Sequence, residues 1–168
     1  GVGKTTVGRL LGARFGCRFV EGDDLHPAAN VAKMSAGQPL DDADRLPWLA
    51  SIAREIDRIL AEGQMVVVAC SALKRSYRRL LGGDDCRVVF VHLTGEPALI
   101  SSRIAGRKGH FMPPLLLASQ YATLEPPDDL NFSVDAPPDA IVAAIEAELA
   151  RRGILSKRPG AGTASPAR

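Results

Sequence analysis

Apolar residues Val7, Leu10, Leu11 and Phe15 recur at helical spacing, and Gly16 follows them. That pattern predicts a helix over 4–15 closed by a left-handed glycine. Residues 18–20 form a short extended run that ends in an acidic loop, 21–24, and 27–44 reads as a short helix with loops. Between 47 and 62, the positions Leu49, Ile52, Ala53, Ile56, Ile59 and Leu60 make the cleanest amphipathic helix, with proline near its start and Gly63 after its end. Residues 65–70 and 88–93 are continuous apolar runs rich in valine. Such runs are too short for helices and match parallel strands covered on both faces.

Helical patterns over 73–81 and 96–105 follow these two strands, so strands and helices alternate as in a doubly wound α/β domain. A basic, glycine-containing segment, Gly106-Arg107-Lys108-Gly109-His110, interrupts the order. A helix over 115–124, a short strand over 132–134 and a last helix over 137–150 complete the pattern, with Ile141, Val142, Ile145 and Leu149 on one helical face. At 168 residues and 46% hydrophobic composition the chain suits one domain, assigned to 1–152. Residues 153–168 turn to glycine, proline, alanine and serine and are expected to be a disordered tail.

Basic residues exceed acidic ones by two, and the charges are scattered, which excludes a nucleic-acid or membrane surface as the main partner. A small anionic ligand needs only a local basic pocket. Cys17, Cys70 and Cys86 lack CxxC spacing and lie in or beside apolar stretches, so buried reduced thiols in a cytoplasmic protein are expected. No run approaches the length of a bilayer span.

Gly1-Val2-Gly3-Lys4-Thr5-Thr6, opening a helix, matches the second half of the phosphate-loop pattern G-x-x-x-x-G-K-[ST]. Backbone N–H groups of such a loop and the positive end of the helix cradle phosphates. Lys4 is expected at the β- and γ-phosphates of ATP and Thr5 at Mg²⁺. The first glycine of the pattern and the strand that feeds it would precede Gly1. In a doubly wound sheet that strand is central, so the chain is expected to leave two strands with unpaired edges and to be a fragment, with its own ATP binding open.

Phosphoryl transfer needs a carboxylate for the acceptor hydroxyl and cations for the equatorial oxygens. Asp23 is the candidate base, Glu21 a candidate for the metal shell; a solvated acidic turn fits the same residues. Ser71 and Lys74 follow the 65–70 strand at the end where ligands of open sheets bind. Ser71 fits a helix cap as well as a ligand, and Lys74 with Arg78 fits either a carboxylate site or a solvated face. Arg107, Lys108 and His110 suit a lid segment over about 106–114, with Arg107 placed for transition-state charge. His26, His92 and His110 show no metal-ligand spacing.

With those residues assigned, the chain resembles the thermoresistant-type gluconokinases, relatives of shikimate kinase in the nucleoside-monophosphate-kinase group. The likeness rests on Gly22-Asp23-Asp24-Leu25-His26-Pro27 with Asn30, on Lys33-Met34, and on the stretch from Gly37-Gln38-Pro39 through Asp44-Arg45-Leu46-Pro47-Trp48-Leu49. Cys70-Ser71-Ala72-Leu73-Lys74, Tyr77-Arg78, Arg107-Lys108-Gly109-His110-Phe111, Ser119-Gln120 and Leu124-Glu125-Pro126 extend it. The resemblance implies a three-layer α/β/α fold around a parallel five-stranded sheet, ATP and Mg²⁺ as cofactors, and a homodimer. It implies phosphorylation of D-gluconate at its 6-hydroxyl, with Asp23 on the acceptor and Arg45, Trp48, Ser71, Lys74, Arg78 and His110 on the substrate side. Many relatives carry aspartate where this chain has Glu21. The competing readings are a related small-molecule kinase, such as a shikimate kinase, and an inactive remnant of such an enzyme.

Overall fold

The computed structural model describes residues 2–105, 114–127 and 130–155. Helix α1 (Lys4–Phe15) leads into strand β1 (Arg18–Glu21) and a 3₁₀ turn, Gly22–Leu25. Helices α2 (Ala28–Ser35) and α3 (Asp42–Ala61) precede β2 (Val66–Ala69), which α4 (Arg75–Leu80) follows. Then come β3 (His92–Thr94), α5 (Pro97–Ala105), α6 (Pro114–Thr123), β4 (Asn131–Ser133) and α7 (Pro138–Arg151). None of the described helices is long and apolar enough to cross a membrane.

Strands β1 and β2 pair in parallel, with Arg18 opposite Val66 and Glu21 opposite Ala69. Strands β3 and β4 also pair in parallel, His92 opposite Asn131 and Thr94 opposite Ser133. Among the described residues these are two separate pairs, the four strands expected of the five-stranded sheet without its first central strand. Helices α1 and α7 pack together, α3 and α4 pack together, and β2 touches both α1 and α3. The helices therefore lie in two layers with the strands between them, as expected for α/β/α.

Each helix layer has its own core. Val7 and Leu11 of α1 join Ile141, Ile145 and Leu149 of α7 in one, and Trp48, Leu49, Ile52, Leu73 and Tyr77 fill the other. Adjacent β2 residues divide between them, Val67 packing on the first core and Val68 on the second. This is the period-two alternation of a strand covered on both faces. It explains why the 65–70 run is apolar throughout.

Three sequence expectations need correction. The main amphipathic helix starts at Asp42, not near residue 47, because Asp41 and Asp44 form a reciprocal capping box: each carboxylate accepts the other residue's backbone N–H. Pro47 then lies inside the helix near its start, where it removes one intrahelical bond. The 88–93 strand is laddered only from His92, because β4, its one partner among the described residues, is three residues long. Beyond α7, Ile154 N–H donates to the Leu149 carbonyl at 3.0 Å and Leu155 packs on the first core, while 156–168 of the expected tail lie outside the described residues. Of the thiols, Cys86 is exposed, contrary to the expected burial, and Cys17 and Cys70 are half-buried; all three are free.

Where β1 and β2 end, the backbones approach so closely that only glycine fits. A Cβ on Gly22 would stand 2.6 Å from the Ala69 carbonyl oxygen and 3.2 Å from Ile52 Cδ1. Gly22→Ala should therefore push the two strand ends apart and destabilise the protein by about 1–3 kcal/mol. Chemical denaturation reads this as a lower midpoint at unchanged slope; an unchanged midpoint would mean that the strand ends separate without cost.

Candidate active site

The N-terminus of α1 and the carboxyl ends of β1 and β2 carry the chemistry. Gly3, with φ of 91°, is the residue before α1, a left-handed conformation that favours glycine. The first turn of α1, Lys4-Thr5-Thr6, contains no acidic residue, so its exposed N–H groups and positive dipole end are not neutralised locally. Gly1, the first residue of the sequence motif, lies outside the described residues.

Cys70 marks the point of convergence. It directly follows β2, and burial pushes its thiol up to about 12. The charges of Lys4, Asp23, Arg45 and Glu21 all act on that thiol. Four residues from four elements, α1, the 3₁₀ turn, α3 and β1, thus lie within electrostatic range of the end of one strand. The sequence-predicted Lys4, Glu21 and Asp23 are brought together here, and Arg45 with them.

Arg45 is buried, at 8% exposure, yet among the described residues its side chain makes one hydrogen bond, from Nε to the Leu40 carbonyl at 3.4 Å. Its positive charge acts on His26, Asp42 and Tyr77 as well as on Cys70. A buried guanidinium whose fork is not used by a protein carboxylate is suited to an anionic ligand.

Asp23 is held by a buried frame. Trp48 is fully buried, its indole N–H donates to the Gly22 carbonyl at 2.7 Å, and its ring stacks on His26 at a centroid distance of 4.2 Å. The Asn30 amide N–H₂ lies 3.3 Å from His26 Nδ1 and donates to the Asp44 carbonyl at 2.8 Å. Since that amide nitrogen only donates, Nδ1 accepts and the proton sits on Nε2. Burial lowers the His26 pKa, with Asp23 opposing and Arg45 reinforcing, so the ring is neutral near pH 7. Lys33 completes the frame, both Asp44 carboxylate oxygens lying 2.7 Å from its Nζ.

Trp48, expected on the substrate side, has no exposed surface here and contacts Gly22 and His26, the residues that flank Asp23. Periodicity alone could not find that role, because the indole N–H partner lies 26 residues away.

Lys74 and Arg78 are brought close to the site but are engaged within the protein. Lys74 Nζ donates to both oxygens of Asp42 at 2.7 Å, and the Tyr77 hydroxyl donates to the same carboxylate. Arg78 Nη1 donates to the Ala72 and Leu73 carbonyls. Ser71 is half-buried and caps nothing: α4 starts at Arg75 and no side chain of its preceding residue caps it. Instead the Glu125 carboxylate accepts the Arg75 backbone N–H at 2.7 Å, while Glu125 N–H donates to the Leu73 carbonyl. Arg107, Lys108 and His110 lie outside the described residues.

Comparison with known proteins identifies the family. The shikimate kinase family model matches residues 1–123, and the chain belongs to that family of α/β kinases. The gluconokinase of Gluconobacter oxydans strain 621H is 49% identical over 146 residues, covering 84% of this chain and 82% of that protein. A probable gluconokinase of Xenopus tropicalis is 45% identical over 176 residues, covering 94% and 93%. A gluconokinase crystal structure from Sinorhizobium meliloti 1021 superposes with a TM-score of 0.81 and 44% identity, over 90% of this chain and 87% of that one. Within the family, then, the chain is a member of the gluconokinases.

The Asp42, Lys74 and Tyr77 cluster has a pH signature. The Lys74 and Tyr77 hydrogen bonds hold Asp42 below the ordinary carboxylate range, and burial, with Asp42 beside it, pushes the Tyr77 hydroxyl up to about 12. A raised folded-state pKa contributes stability that is present below the ordinary tyrosine value of about 10 and is lost as pH rises through the folded value. Ultraviolet titration should show a tyrosinate step near pH 12 that Tyr77→Phe removes. If the step that Tyr77→Phe removes lies at the ordinary tyrosine pH instead, the Asp42 bond does not form in solution.

Proposed function

We propose that the protein transfers the γ-phosphate of ATP to the 6-hydroxyl of D-gluconate, giving ADP and 6-phospho-D-gluconate. The observation that carries this reading is the gathering of Lys4, Glu21, Asp23 and Arg45 around Cys70 at the strand ends. Membership of the gluconokinases supports gluconate as the acceptor.

Residues Val2 to Thr6 hold the nucleotide phosphates, with backbone N–H groups and Lys4 as donors. The Thr5 hydroxyl and the Glu21 carboxylate are hard oxygen donors, which suits Mg²⁺, and they sit at the α1 start and the β1 end that Lys4 and Glu21 share through Cys70. When bound, Mg²⁺ neutralises phosphate charge. Asp23 accepts the proton of the 6-hydroxyl as that oxygen bonds to the γ-phosphorus and the bond to the β–γ bridging oxygen breaks. Arg45 pairs with the gluconate carboxylate, and neutral His26, held by Trp48 and Asn30, donates from Nε2 to an acceptor oxygen. Ser71 and Lys74 border the acceptor side, Lys74 by holding Asp42 beside Arg45. Arg107 and His110 supply further cations from the 106–114 segment. A homodimer in the cytoplasm is the accompanying proposal.

Gluconate-dependent ADP release from Mg-ATP tests the reading, with shikimate and glucose as alternative acceptors. Release with gluconate alone is expected; release with shikimate instead would reassign the acceptor. Asp23→Asn should lower turnover by about 10²–10⁴-fold with the fold intact. A wild-type rate would remove Asp23 from the chemistry. Arg45→Met should raise the KM for gluconate more than it lowers turnover, whereas an unchanged KM would place the carboxylate elsewhere.

A further inference from the structure

Asn30 is a buried polar side chain, 3% exposed, in the first turn of α2 and four residues after His26. Its amide nitrogen is a two-pronged donor, 2.8 Å from the Asp44 carbonyl oxygen and 3.3 Å from His26 Nδ1. A backbone carbonyl only accepts, so Asp44 decides which end of the amide faces these two partners. One N–H then meets Asp44 and the other meets His26. Asp44 is itself held by the Asp41 cap and by Lys33, so the chain of donors starts from a fixed backbone atom.

The effect crosses the imidazole ring. A neutral imidazole carries one proton, and a nitrogen that accepts from Asn30 leaves that proton on the other nitrogen. Stacking on Trp48, with the two planes 10° apart, fixes the plane in which the Nε2–H bond points. Nε2 has no hydrogen-bond partner among the described residues. The Tyr121 hydroxyl is the one buried side-chain polar atom among them without a partner, so the unpartnered Nε2 is not buried but open. Asp23 and Arg45 both act on this ring, which places the open donor at the acceptor end of the site.

We propose that Asn30 is a positioning residue for the phosphoryl acceptor: anchored on the Asp44 carbonyl, it donates to Nδ1 and holds His26 as an Nε2–H donor, so that the site selects an oxygen that accepts a hydrogen bond at that point. Asn30 touches neither acceptor nor phosphate and acts through His26 alone. Its part in turnover rests on gluconate as the acceptor, whereas the form of the His26 ring does not.

Ring-nitrogen NMR on the full chain distinguishes the two neutral tautomers, the His26 signals being those that His26→Gln removes. The Nε2–H form is expected at neutral pH, and the Nδ1–H form would overturn the proposal. In Asn30→Asp a carboxylate accepts where the amide donated, so Nδ1 should become protonated. The KM for gluconate should then rise about tenfold or more while the KM for ATP stays within about twofold. Asn30→Ala removes the donor without adding charge and should raise the KM for gluconate in the same direction, which covers a failure of Asn30→Asp to fold. An unchanged ring in Asn30→Asp, or equal rises in both KM values, would reduce Asn30 to a strut between α2 and α3 and overturn the proposal. In a His26→Gln background Asn30→Asp should add less than about twofold to the KM for gluconate. A full tenfold rise there would mean that Asn30 acts through Asp44 and not through His26, which also overturns it. An Nε2–H ring in a chain that does not phosphorylate gluconate would remove the acceptor assignment and the positioning role with it, whereas an Nδ1–H ring in an active gluconate kinase would remove this inference alone.

Discussion

The Trp48 indole N–H donating to the Gly22 carbonyl is the bond around which the acceptor end is organised. Both partners are buried, and a carbonyl left unpaired there would cost about 1–3 kcal/mol. The same ring is a fixed wall of the second core and the surface on which His26 stacks. One side chain therefore ties the packing of α3 to the backbone on either side of Asp23. Gly22 lets this happen, because its missing side chain allows the β1 end to lie against the Ala69 carbonyl and Ile52.

The frame also explains how a buried arginine is tolerated. Arg45 begins its course three residues before Trp48 on α3, in the turn capped by Asp41 and Asp44. The cap and the Lys33 contact fix that turn, so the guanidinium is held in place by backbone geometry and not by a counter-ion of its own. Asp42, one residue after the cap, is occupied instead by Lys74 and Tyr77. Acidic and basic groups are thus sorted: those at the rim neutralise one another, and Arg45 makes no ion pair among the described residues.

Much of this was legible in the sequence, and the reasons differ by element. The phosphate-loop residues announce themselves because glycine, lysine and threonine are all needed within a few positions. The 65–70 strand was clear because burial on both faces makes every residue apolar. The start of α3 was misplaced because Pro47 is a louder signal than a capping box made of two ordinary aspartates. The roles of Trp48 and Glu125 were not legible, since each acts through a backbone atom of a segment far away in the chain. Lys74 and Arg78 looked like ligand cations, and only coordinates reveal that Asp42 and the Ala72 and Leu73 carbonyls hold them. The 88–91 run reads as a strand because its faces are fixed by two cores, while its laddering depends on a neighbour that periodicity cannot supply.

Glu125 is bonded through its carboxylate to the start of α4 and through its N–H to Leu73, so the chain returning from α6 is fastened to the element that bears Lys74. Shifting Glu125 by a single residue would give up both of these contacts at once, so the length of chain between α6 and β4 is tied to the position of α4.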